Sequence, residues 1–431
     1  MGLSALSLAA AHTPRTALLR DRDPHTGHPT ATLCLLASDD LVRVAPDRPA
    51  AALDALATAL DALAAAGSGD EAGAPWRPAG VGALGYEAAR AAAMPEAAAR
   101  DGRPLGDGFP SGWMARVEAA LRLDLVTGEV AVCPPTAAGR FRAVVSPWEG
   151  RPAEGVGLGL ELGAAEAHHA AIARVRAGIR DGEVYLVNVA RVLQRAEVLP
   201  DDRVAEALAA RFVAADPAYG TLAHLGDARV CAMSMELALR WNRAASLAFT
   251  APIKGTRPRD GSDPVRDAAL AEALAADPKE RAENAMAVDV HRNDLGRVAV
   301  AGGVEMEALC AVERHAYVHH LVSRVRARLP PDLDAGSMLR AMFPVGSVTG
   351  APKRAAMDFI ARVETHRRGL YTGALGAICS DGGLAWAVAI RTLVADAAGL
   401  HYGVGGGVVW DSDPEREWDE LAWKARAVTA G

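Results

Sequence analysis

The segment GVGGGVVWDSDPEREWDELAWKAR, residues 403–426, joins a run of glycines to a strongly marked helix. Asp413 followed by proline is a typical helix start, because aspartate caps the first turn and proline fits its first position. Glu417, Glu420 and Lys424 then recur at a spacing that places them on one face of the helix. The glycines let backbone approach a ligand closely, although an ordinary turn is the commoner explanation of such a run taken alone.

A second helix with acidic residues is predicted within residues 277–297, DPKERAENAMAVDVHRNDLGR. Asp277 and the following proline again form a helix start. Glu280 and Glu283 are three residues apart and therefore share a face. Paired carboxylates suit a hard divalent cation such as Mg²⁺, whereas most acidic pairs on helices are simply solvated. Both interpretations stay open on this segment alone.

A single lysine stands out in residues 251–259, APIKGTRPR, directly after a predicted strand. Lys254 lies between apolar Ile253 and a glycine turn. An amine that is kept away from water in such a setting can act as a nucleophile near neutral pH. The alternative is an ordinary lysine in a surface loop.

A glycine-containing turn is predicted in residues 343–353, FPVGSVTGAPK. Gly346 and Gly350 permit a tight backbone, and Pro352 fits the first position of a following helix. The exposed amides of such a turn favour an anion. A nucleotide-binding P-loop is excluded, because alanine and proline follow Gly350 where that motif needs lysine and serine or threonine.

Composition restricts the class of protein. The 431 residues are 51% hydrophobic and carry a net charge of −7, so no overall positive field exists to hold nucleic acid or an anionic membrane. The five cysteines are scattered without a CxxC pair, which argues against a zinc site or a disulfide framework. No window has the roughly 18 apolar residues of a membrane-spanning helix. We expect a cytoplasmic protein with a small substrate.

The order of predicted elements indicates an α+β fold with largely antiparallel sheets, since a regular βαβ repeat and its dinucleotide-binding fingerprint are missing. The proline-rich stretch 133–159 is the predicted boundary between an N-terminal α+β lobe, residues 1–150, and a catalytic region, residues 151–431. Helices are predicted at 50–66, 164–180, 201–214, 264–275 and 278–292, and strands at 31–38, in a hairpin within 117–135, and at 141–148, 228–234, 247–253 and 298–306.

Taken in order, these segments resemble the chorismate-utilising enzyme family, which includes anthranilate synthase component I, aminodeoxychorismate synthase component I, isochorismate synthase and salicylate synthase. The resemblance is strong from about Tyr185 onward, and residues 346–353 and 411–427 stand nearly in the family's form. It is faint before residue 150, where only VGALGYEAAR at 81–90 carries it. The resemblance implies two large, mainly antiparallel β-sheets packed in a sandwich with helices outside, as in anthranilate synthase component I.

The resemblance also implies a site. The family's Mg²⁺ carboxylates correspond to Glu283 and Glu420, with Glu280 and Glu417 beside them, and the metal would bridge the protein and the ring carboxylate of chorismate. Glu236 corresponds to the acid that protonates the departing C4 hydroxyl. The positions that hold substrate carboxylates or lie near the ring correspond to Thr256, His320, Tyr371, Arg391, Gly405, Gly406, Gly407 and Lys424.

Two positions favour one reaction within the family. Isochorismate and salicylate synthases need a lysine base in the segment that corresponds to residues 182–191, and no lysine occurs there. The form PIKGT with Lys254 is typical of aminodeoxychorismate synthase, whereas anthranilate synthases usually carry a small residue at that position. The resemblance therefore implies 4-amino-4-deoxychorismate as product, made through a covalent Lys254 intermediate for 4-aminobenzoate and folate or for a secondary metabolite.

Several alternatives remain at this point. Anthranilate synthase component I and 2-amino-2-deoxyisochorismate synthase are the nearest, and a catalytically silent relative is a third. No glutaminase nucleophile is recognisable in the chain, so ammonia is expected from a separate glutamine amidotransferase subunit in a heteromer. The sequence departs from the family's usual residues at Leu186, Met235, Asn284 and Leu421.

Overall fold

The structure, a computed structural model, describes residues 1–23, 26–66, 77–104, 107–153, 155–197, 199–315 and 318–429. Its strands are β1 (Thr16–Arg22), β2 (Pro29–Val44), β3 (Gly80–Leu84), β4 (Gly112–Asp124), β5 (Val130–Cys133), β6 (Leu186–Arg195), β7 (Tyr219–His224), β8 (Arg229–Ser234), β9 (Leu237–Asn242), β10 (Leu247–Ala251), β11 (Ile253–Pro258), β12 (Val304–Arg314), β13 (Val318–Arg328), β14 (Gly350–Ala351), β15 (Ala374–Ile378), β16 (Leu384–Val388), β17 (Thr392–Asp396) and β18 (Gly399–Val408). Its helices are α1 (Leu3–His12), α2 (Ala52–Ala66), α3 (Tyr86–Ala93), α4 (Pro95–Ala99), α5 (Ala138–Val145), α6 (Glu166–Arg180), α7 (Asp201–Ala215), α8 (Pro264–Ala276), α9 (Pro278–Gly296), α10 (Ala335–Met342), α11 (Lys353–Val363) and α12 (Pro414–Thr429).

The strands form one continuous antiparallel ribbon within these described ranges. Hydrogen bonding links β14, β6, β18, β17, β8, β7 and β1 in that order. From β1 it continues through β2, β4, β3, β15, β16, β9, β10, β13 and β12. The predicted α+β fold with antiparallel sheets is confirmed.

The ribbon folds back on itself so that its two halves share a core. Strand residues of β1, β8 and β17 lie in one buried cluster with strand residues of β2, β3, β4 and β15. Along β1, Ala17 and Leu19 belong to this cluster, whereas Leu18 belongs to a second cluster that includes α1, α5, α7 and α12. This alternation follows the two-residue period of a strand. One face of the strand therefore packs on strands and the other on helices.

Strands from both sides of residue 150 belong to the same ribbon, since β1 pairs with β7 and β3 pairs with β15. The domain boundary itself stays a prediction. The apolar stretch near the N-terminus forms helix α1, whose Leu6 and Leu8 are buried in the core. No helix in the described ranges has both the length and the apolar character needed to cross a membrane.

Two predicted strands are wrong. The segment 141–148 contributes to helix α5 and a following short 3-10 turn, because Phe141 and Val145, four residues apart, are both buried on one side. The segment 298–306 begins in a turn after α9, and only its end enters β12 at Val304. The predicted helices correspond to α2, α6, α7, α8 and α9.

Candidate active site

The glycine run lies in strand β18 rather than in a turn, with residues 405–407 paired to β6. A Cβ atom at Gly406 would lie 3.3 Å from Glu417 Oε2 and 3.9 Å from both Glu420 Oε1 and Lys424 Nζ. Because glycine has no side chain, these three side chains of helix α12 can lie directly over the strand. The predicted polar face of α12 is thereby placed on the glycine strand.

Lys254 lies over the neighbouring glycine. Its Nζ is 3.5 Å from the position that a Cβ atom would occupy at Gly407. The lysine sits at a β-bulge in β11, where the register with β13 shifts between Ile253 and Thr256. Gly255 supplies the positive φ of 91° at this point. Since bulges re-aim side chains, the bulge accounts for the direction of the amine toward β18.

Glu236 lies between β8 and β9 and is only 3% exposed. Burial raises the pKa of this carboxyl to about 7, and a hydrogen bond from the Ser347 hydroxyl and the charge of Lys254 act in the opposite direction. A carboxyl with a pKa near neutrality holds a proton in a large fraction of molecules and can donate it. Glu236 is therefore suited to the role of a general acid beside Lys254.

Carboxylates of α9 and α12 face each other at the same place. Burial raises the pKa of Glu283, the charges of Lys254 and Lys279 act in the opposite direction, and the charges of Glu280 and Glu420 add smaller contributions to the rise. Burial also raises the pKa of Glu417. Burial alone would raise the pKa of Glu420, but the charge of Lys424, whose Nζ is 2.6 Å away, lowers it overall.

These carboxylates fit a magnesium ion in part. Glu283, which is partly buried, and the more exposed Glu420 are like charges that repel each other, and a cation between them would remove that repulsion. Glu280 is already neutralised by Arg257, 3.0 Å away. Among the residues that the structure describes, no three histidine, cysteine or carboxylate side chains form a complete metal cage. Mg²⁺ needs none, since it commonly keeps waters and substrate oxygens as ligands.

Thr256 and His320 lie opposite each other on β11 and β13. The Thr256 hydroxyl and His320 Nδ1 are 2.9 Å apart. Burial lowers the pKa of His320 to about 4, and the positive charges of His315 and Arg391 add to the fall. The imidazole is therefore neutral at pH 7 and can take part in hydrogen bonds without adding charge to the site.

Arg391 is aimed by its backbone, which has a positive φ of 51° at the entry to β17. Its guanidinium lies 5.4 Å from the centre of the Trp423 ring and donates to the Lys424 carbonyl at 3.4 Å. It forms no ion pair with any described carboxylate. A guanidinium held in this way is suited to a substrate carboxylate. Lys424 Nζ also donates to the Gly405 carbonyl at 2.9 Å, which ties α12 to β18.

Tyr371 is buried against β18 two residues before the glycine run. A Cβ atom at Gly403 would lie 2.0 Å from Tyr371 Cγ, so only glycine allows this packing. Burial raises the pKa of the Tyr371 hydroxyl, and the charges of Arg368 and, to a smaller extent, Arg391 act in the opposite direction. The structure thus places Glu417, Glu420, Lys424, Lys254 and Tyr371 against β18, whereas the Glu280 carboxylate pairs with Arg257.

The turn predicted at 343–353 is present as a 3-10 turn at Gly346–Val348, but the expected exposure of its amides is wrong, and its binding of an anion stays a prediction. Residues 341–350 are buried, and Gly350 and Ala351 pair with β6 as strand β14. Lys353 donates to Asp294 Oδ2 at 2.6 Å and is not available to a ligand. The segment contributes instead through Ser347, which bonds Glu236. Its position inside a recognised motif is the signal that could have identified Ser347.

Arg368 is a second residue that the sequence did not reveal. Its side chain is 1% exposed and pairs with Glu364 at 2.6 Å. It also donates to the carbonyls of Val348 and Asn188, both at 2.8 Å. Its guanidinium lies 5.9 Å from the Tyr371 ring centre. Arg368 therefore connects three segments that line the site.

The four residues that depart from the family's usual pattern all lie in or directly beside strands and helices that form the site. Leu186 lies nearest the amine, since its Cδ1 is 3.6 Å from the same Cβ position at Gly407 that Lys254 approaches. Asn284 is fully buried and Leu421 nearly so. The Met235 sulfur accepts a hydrogen bond from the Ala218 amide at 3.4 Å. Their effect on substrate handling stays a prediction.

A family model described as chorismate binding enzyme matches residues 28–430. The match therefore includes most of the N-terminal part, where the motifs alone showed only a faint resemblance. Aminodeoxychorismate synthase of Streptomyces pristinaespiralis is 44% identical over 255 residues, which are 58% of this chain and 34% of that protein. Anthranilate synthase component 1 of Streptomyces coelicolor is 42% identical over 260 residues, which are 60% of this chain and 49% of that protein.

The matches thus cover between a third and a half of the length of these relatives. The crystal structure of anthranilate synthase component I from Streptococcus pneumoniae superposes with a TM-score of 0.71 at 24% identity. It covers 97% of this chain and 91% of that chain, so the two share a fold.

Proposed function

Since this chain belongs to the chorismate binding enzyme family, we propose that it converts chorismate and ammonia to 4-amino-4-deoxychorismate. The observation that supports this choice is the pairing of an amine with an acid. Lys254 Nζ lies beside Gly407, and its charge acts on the buried Glu236, whose pKa is about 7. An amine nucleophile and a protonated carboxyl are the two groups that a substitution through a covalent intermediate needs.

The proposed reaction has two steps. The Lys254 amine, in its neutral form, adds to C2 of the ring, both conjugated ring double bonds shift, and the C4–O bond breaks as Glu236 gives its proton to the departing hydroxyl, which leaves as water. Ammonia then adds at C4, the double bonds shift back, and the C2–N bond breaks with its electron pair returning to Lys254. The Glu236 carboxylate takes a proton from the new C4 ammonium group. Covalent catalysis of this kind divides one difficult substitution into two easier ones.

The charged groups around β18 suit an anionic substrate. Arg391, Tyr371 and Lys424 would hold a carboxylate of chorismate, and Thr256 with neutral His320 would border the ring. Mg²⁺ is proposed at Glu283 and Glu420, with Glu417 beside them, where it would offset the negative charge of the ring carboxylate. Holding the substrate at both carboxylates would fix C2 against the amine.

We propose a glutamine amidotransferase subunit as the source of ammonia. Relatives of this chain carry the name component 1, including aminodeoxychorismate synthase component 1 of Klebsiella aerogenes, which is 47% identical over 179 residues. Free ammonium should replace the partner in vitro, because the proposed chemistry needs only ammonia at C4.

The proposal is tested by product identity. The purified chain is incubated with chorismate, Mg²⁺ and ammonium, and products are separated and weighed by mass spectrometry, with and without aminodeoxychorismate lyase. We expect a product that yields 4-aminobenzoate only when the lyase is present, and we expect a chelator to suppress it until Mg²⁺ is restored. Turnover that continues without any divalent ion would refute the magnesium assignment.

Anthranilate synthase component I is the second candidate, because the Streptomyces coelicolor relative of that name is 42% identical, close to the 44% of the aminodeoxychorismate synthase. Fluorescent anthranilate formed without the lyase would favour it. An aminated product of the same mass as 4-amino-4-deoxychorismate that the lyase does not process would instead indicate 2-amino-2-deoxyisochorismate.

The pH dependence of kcat should follow the protonation of Glu236. A general acid works only while protonated, so we expect kcat to fall as the pH rises through about 7, the pKa of Glu236. Replacing Ser347 with alanine removes a hydrogen bond that favours the carboxylate, so the pKa rises and the falling limb moves to higher pH. Glu236→Gln should lower kcat by about 10² to 10⁴-fold.

The measurement is kcat against pH at saturating chorismate, with total ammonium adjusted to keep free ammonia saturating at every pH. Thr349→Val is the matched control, since the Thr349 hydroxyl bonds the Val345 carbonyl and not Glu236. Its pH profile should coincide with that of the parent. A Ser347→Ala profile that also coincides with the parent would show that Glu236 is not the group that titrates.

A further inference from the structure

Strand β11 is irregular at Lys254 itself. Ile253 pairs with Val322 of β13, whereas Thr256 pairs with His320, so two residues of β11 lie opposite Leu321 alone. A bulge of this kind re-aims a side chain, but it also removes its residue from the regular ladder of backbone hydrogen bonds. The backbone at Lys254 therefore needs a hydrogen-bond partner from outside the sheet.

Asn284 of helix α9 supplies that partner. Its Nδ2 donates to the Leu321 carbonyl at 2.8 Å and to the Lys254 carbonyl at 3.5 Å. Its Oδ1 accepts from the Ser323 hydroxyl and from the Cys310 thiol, the latter at 3.6 Å. The amide is fully buried, and both its oxygen and its nitrogen are engaged. Its orientation is therefore fixed, since a flipped amide would turn its oxygen toward the Leu321 and Lys254 carbonyls and lose both of those bonds.

The other side of the amide is held by a second irregularity. Cys310 has a positive φ of 54° within β12, where the register with β13 shifts between Ala308 and Ala311. Its backbone amide donates to the Ser323 hydroxyl at 2.8 Å. A non-glycine residue keeps such a conformation only where its surroundings fix it. The bulges of β11 and β12 are thus joined through one asparagine.

Asn284 directly follows Glu283 in helix α9. One turn of helix therefore carries a carboxylate of the site and also holds the bulge that aims the lysine. We propose that Asn284 is a positioning residue, which fixes the Lys254 amine relative to the carboxylates of α9. The kinetic part of this inference rests on the proposed function, whereas the structural part does not.

The kinetic test compares Asn284→Ala with Ser323→Ala in the full chain. Ser323→Ala removes a partner of the same amide but leaves both Asn284 donors to β11 and β13 in place. A displacement of about 1 Å at a reacting group costs about 100-fold, so we expect kcat to fall by about that factor in Asn284→Ala. The KM for chorismate should stay within about threefold, because substrate contacts are unchanged. Ser323→Ala should lose about threefold or less in kcat.

The structural test is hydrogen exchange followed by mass spectrometry. Exchange in peptides covering residues 253–256 should become at least about tenfold faster in Asn284→Ala, while peptides from β10 keep the parent rate. Asn284→Ser, which keeps a hydroxyl for Ser323 but is too short to reach both carbonyls, gives the same readout if the alanine variant does not fold.

Unchanged exchange at residues 253–256 would overturn the inference, and so would equal losses of kcat and melting temperature in the Asn284 and Ser323 variants. A parent protein that does not aminate chorismate would contradict the proposed function. Hydrogen exchange would still decide the positioning role in that case.

Discussion

Replacing Lys254 with methionine is expected to reduce formation of 4-amino-4-deoxychorismate by at least about 10³-fold, because the nucleophile of the first step is removed. Methionine has nearly the length of lysine and can keep the packing beside Gly407. Chorismate binding should therefore persist, since Arg391 and Lys424 are untouched. The measurement is the ammonium-dependent rate of product formation, together with the Kd of chorismate from a binding titration.

Lys279→Met is the matched control. Lys279 is 69% exposed and its Nζ lies 3.7 Å from Glu283, so the substitution removes a positive charge near the same carboxylates without touching β18. Pairs of this kind contribute little, so we expect a rate within about twofold of the parent. Lys254→Met that still forms the aminated product at the parent rate would exclude the covalent intermediate.

Much of this site could be predicted because its residues lie on helices whose starts and faces are marked by the local sequence. The spacing of Glu417, Glu420 and Lys424 determines a shared helix face whatever surrounds it. Asp277 and Asp413 mark helix starts through local hydrogen bonds of their own. Periodicity of this kind survives folding, which explains why the predicted helices correspond to observed ones.

The remaining features depend on contacts between distant parts of the chain. The glycine run is a strand because β6, more than 200 residues earlier, pairs with it, and no local pattern specifies that partner. Ser347, Asn284 and Arg368 are ordinary polar residues in sequence. They matter because folding buries them against a carboxylate, a bulge and two carbonyls. Hydrogen bonds of this kind, between buried polar groups from distant parts of the chain, can be identified only when the tertiary structure is known.

The wrong predictions have the same origin. Residues 141–148 contain two adjacent valines and a tryptophan, which favour a strand when considered alone. Burial of Phe141 and Val145 against the helical side of the core selects a helix instead. The turn at 343–353 has the glycines of an anion-binding loop, but packing buries residues 341–350, and Gly350 and Ala351 pair with β6. Tertiary packing overrides local preference in both segments.

Replacing Arg368 with methionine is expected to destabilise the fold by about 3–5 kcal/mol, the cost of leaving one partner of a buried ion pair. The substitution leaves the Glu364 carboxylate, which is 4% exposed, without its cation. It also leaves the carbonyls of Val348 and Asn188 without a donor. Thermal and urea unfolding, followed by circular dichroism, measure the loss.

Arg362→Met, on an arginine that is 57% exposed in the same part of the chain, should change stability little and serves as the control. The double variant Arg368→Met with Glu364→Gln removes the uncompensated charge while keeping an oxygen for the Ala190 amide, which now bonds Glu364 at 2.9 Å. It should therefore be more stable than Arg368→Met alone, because a buried neutral amide costs less than a buried unpaired carboxylate. Equal stability of the single and double variants would show that the loss comes from packing rather than charge. If Arg368→Met unfolds at the same temperature as Arg362→Met, Arg368 does not hold the three segments around the site together.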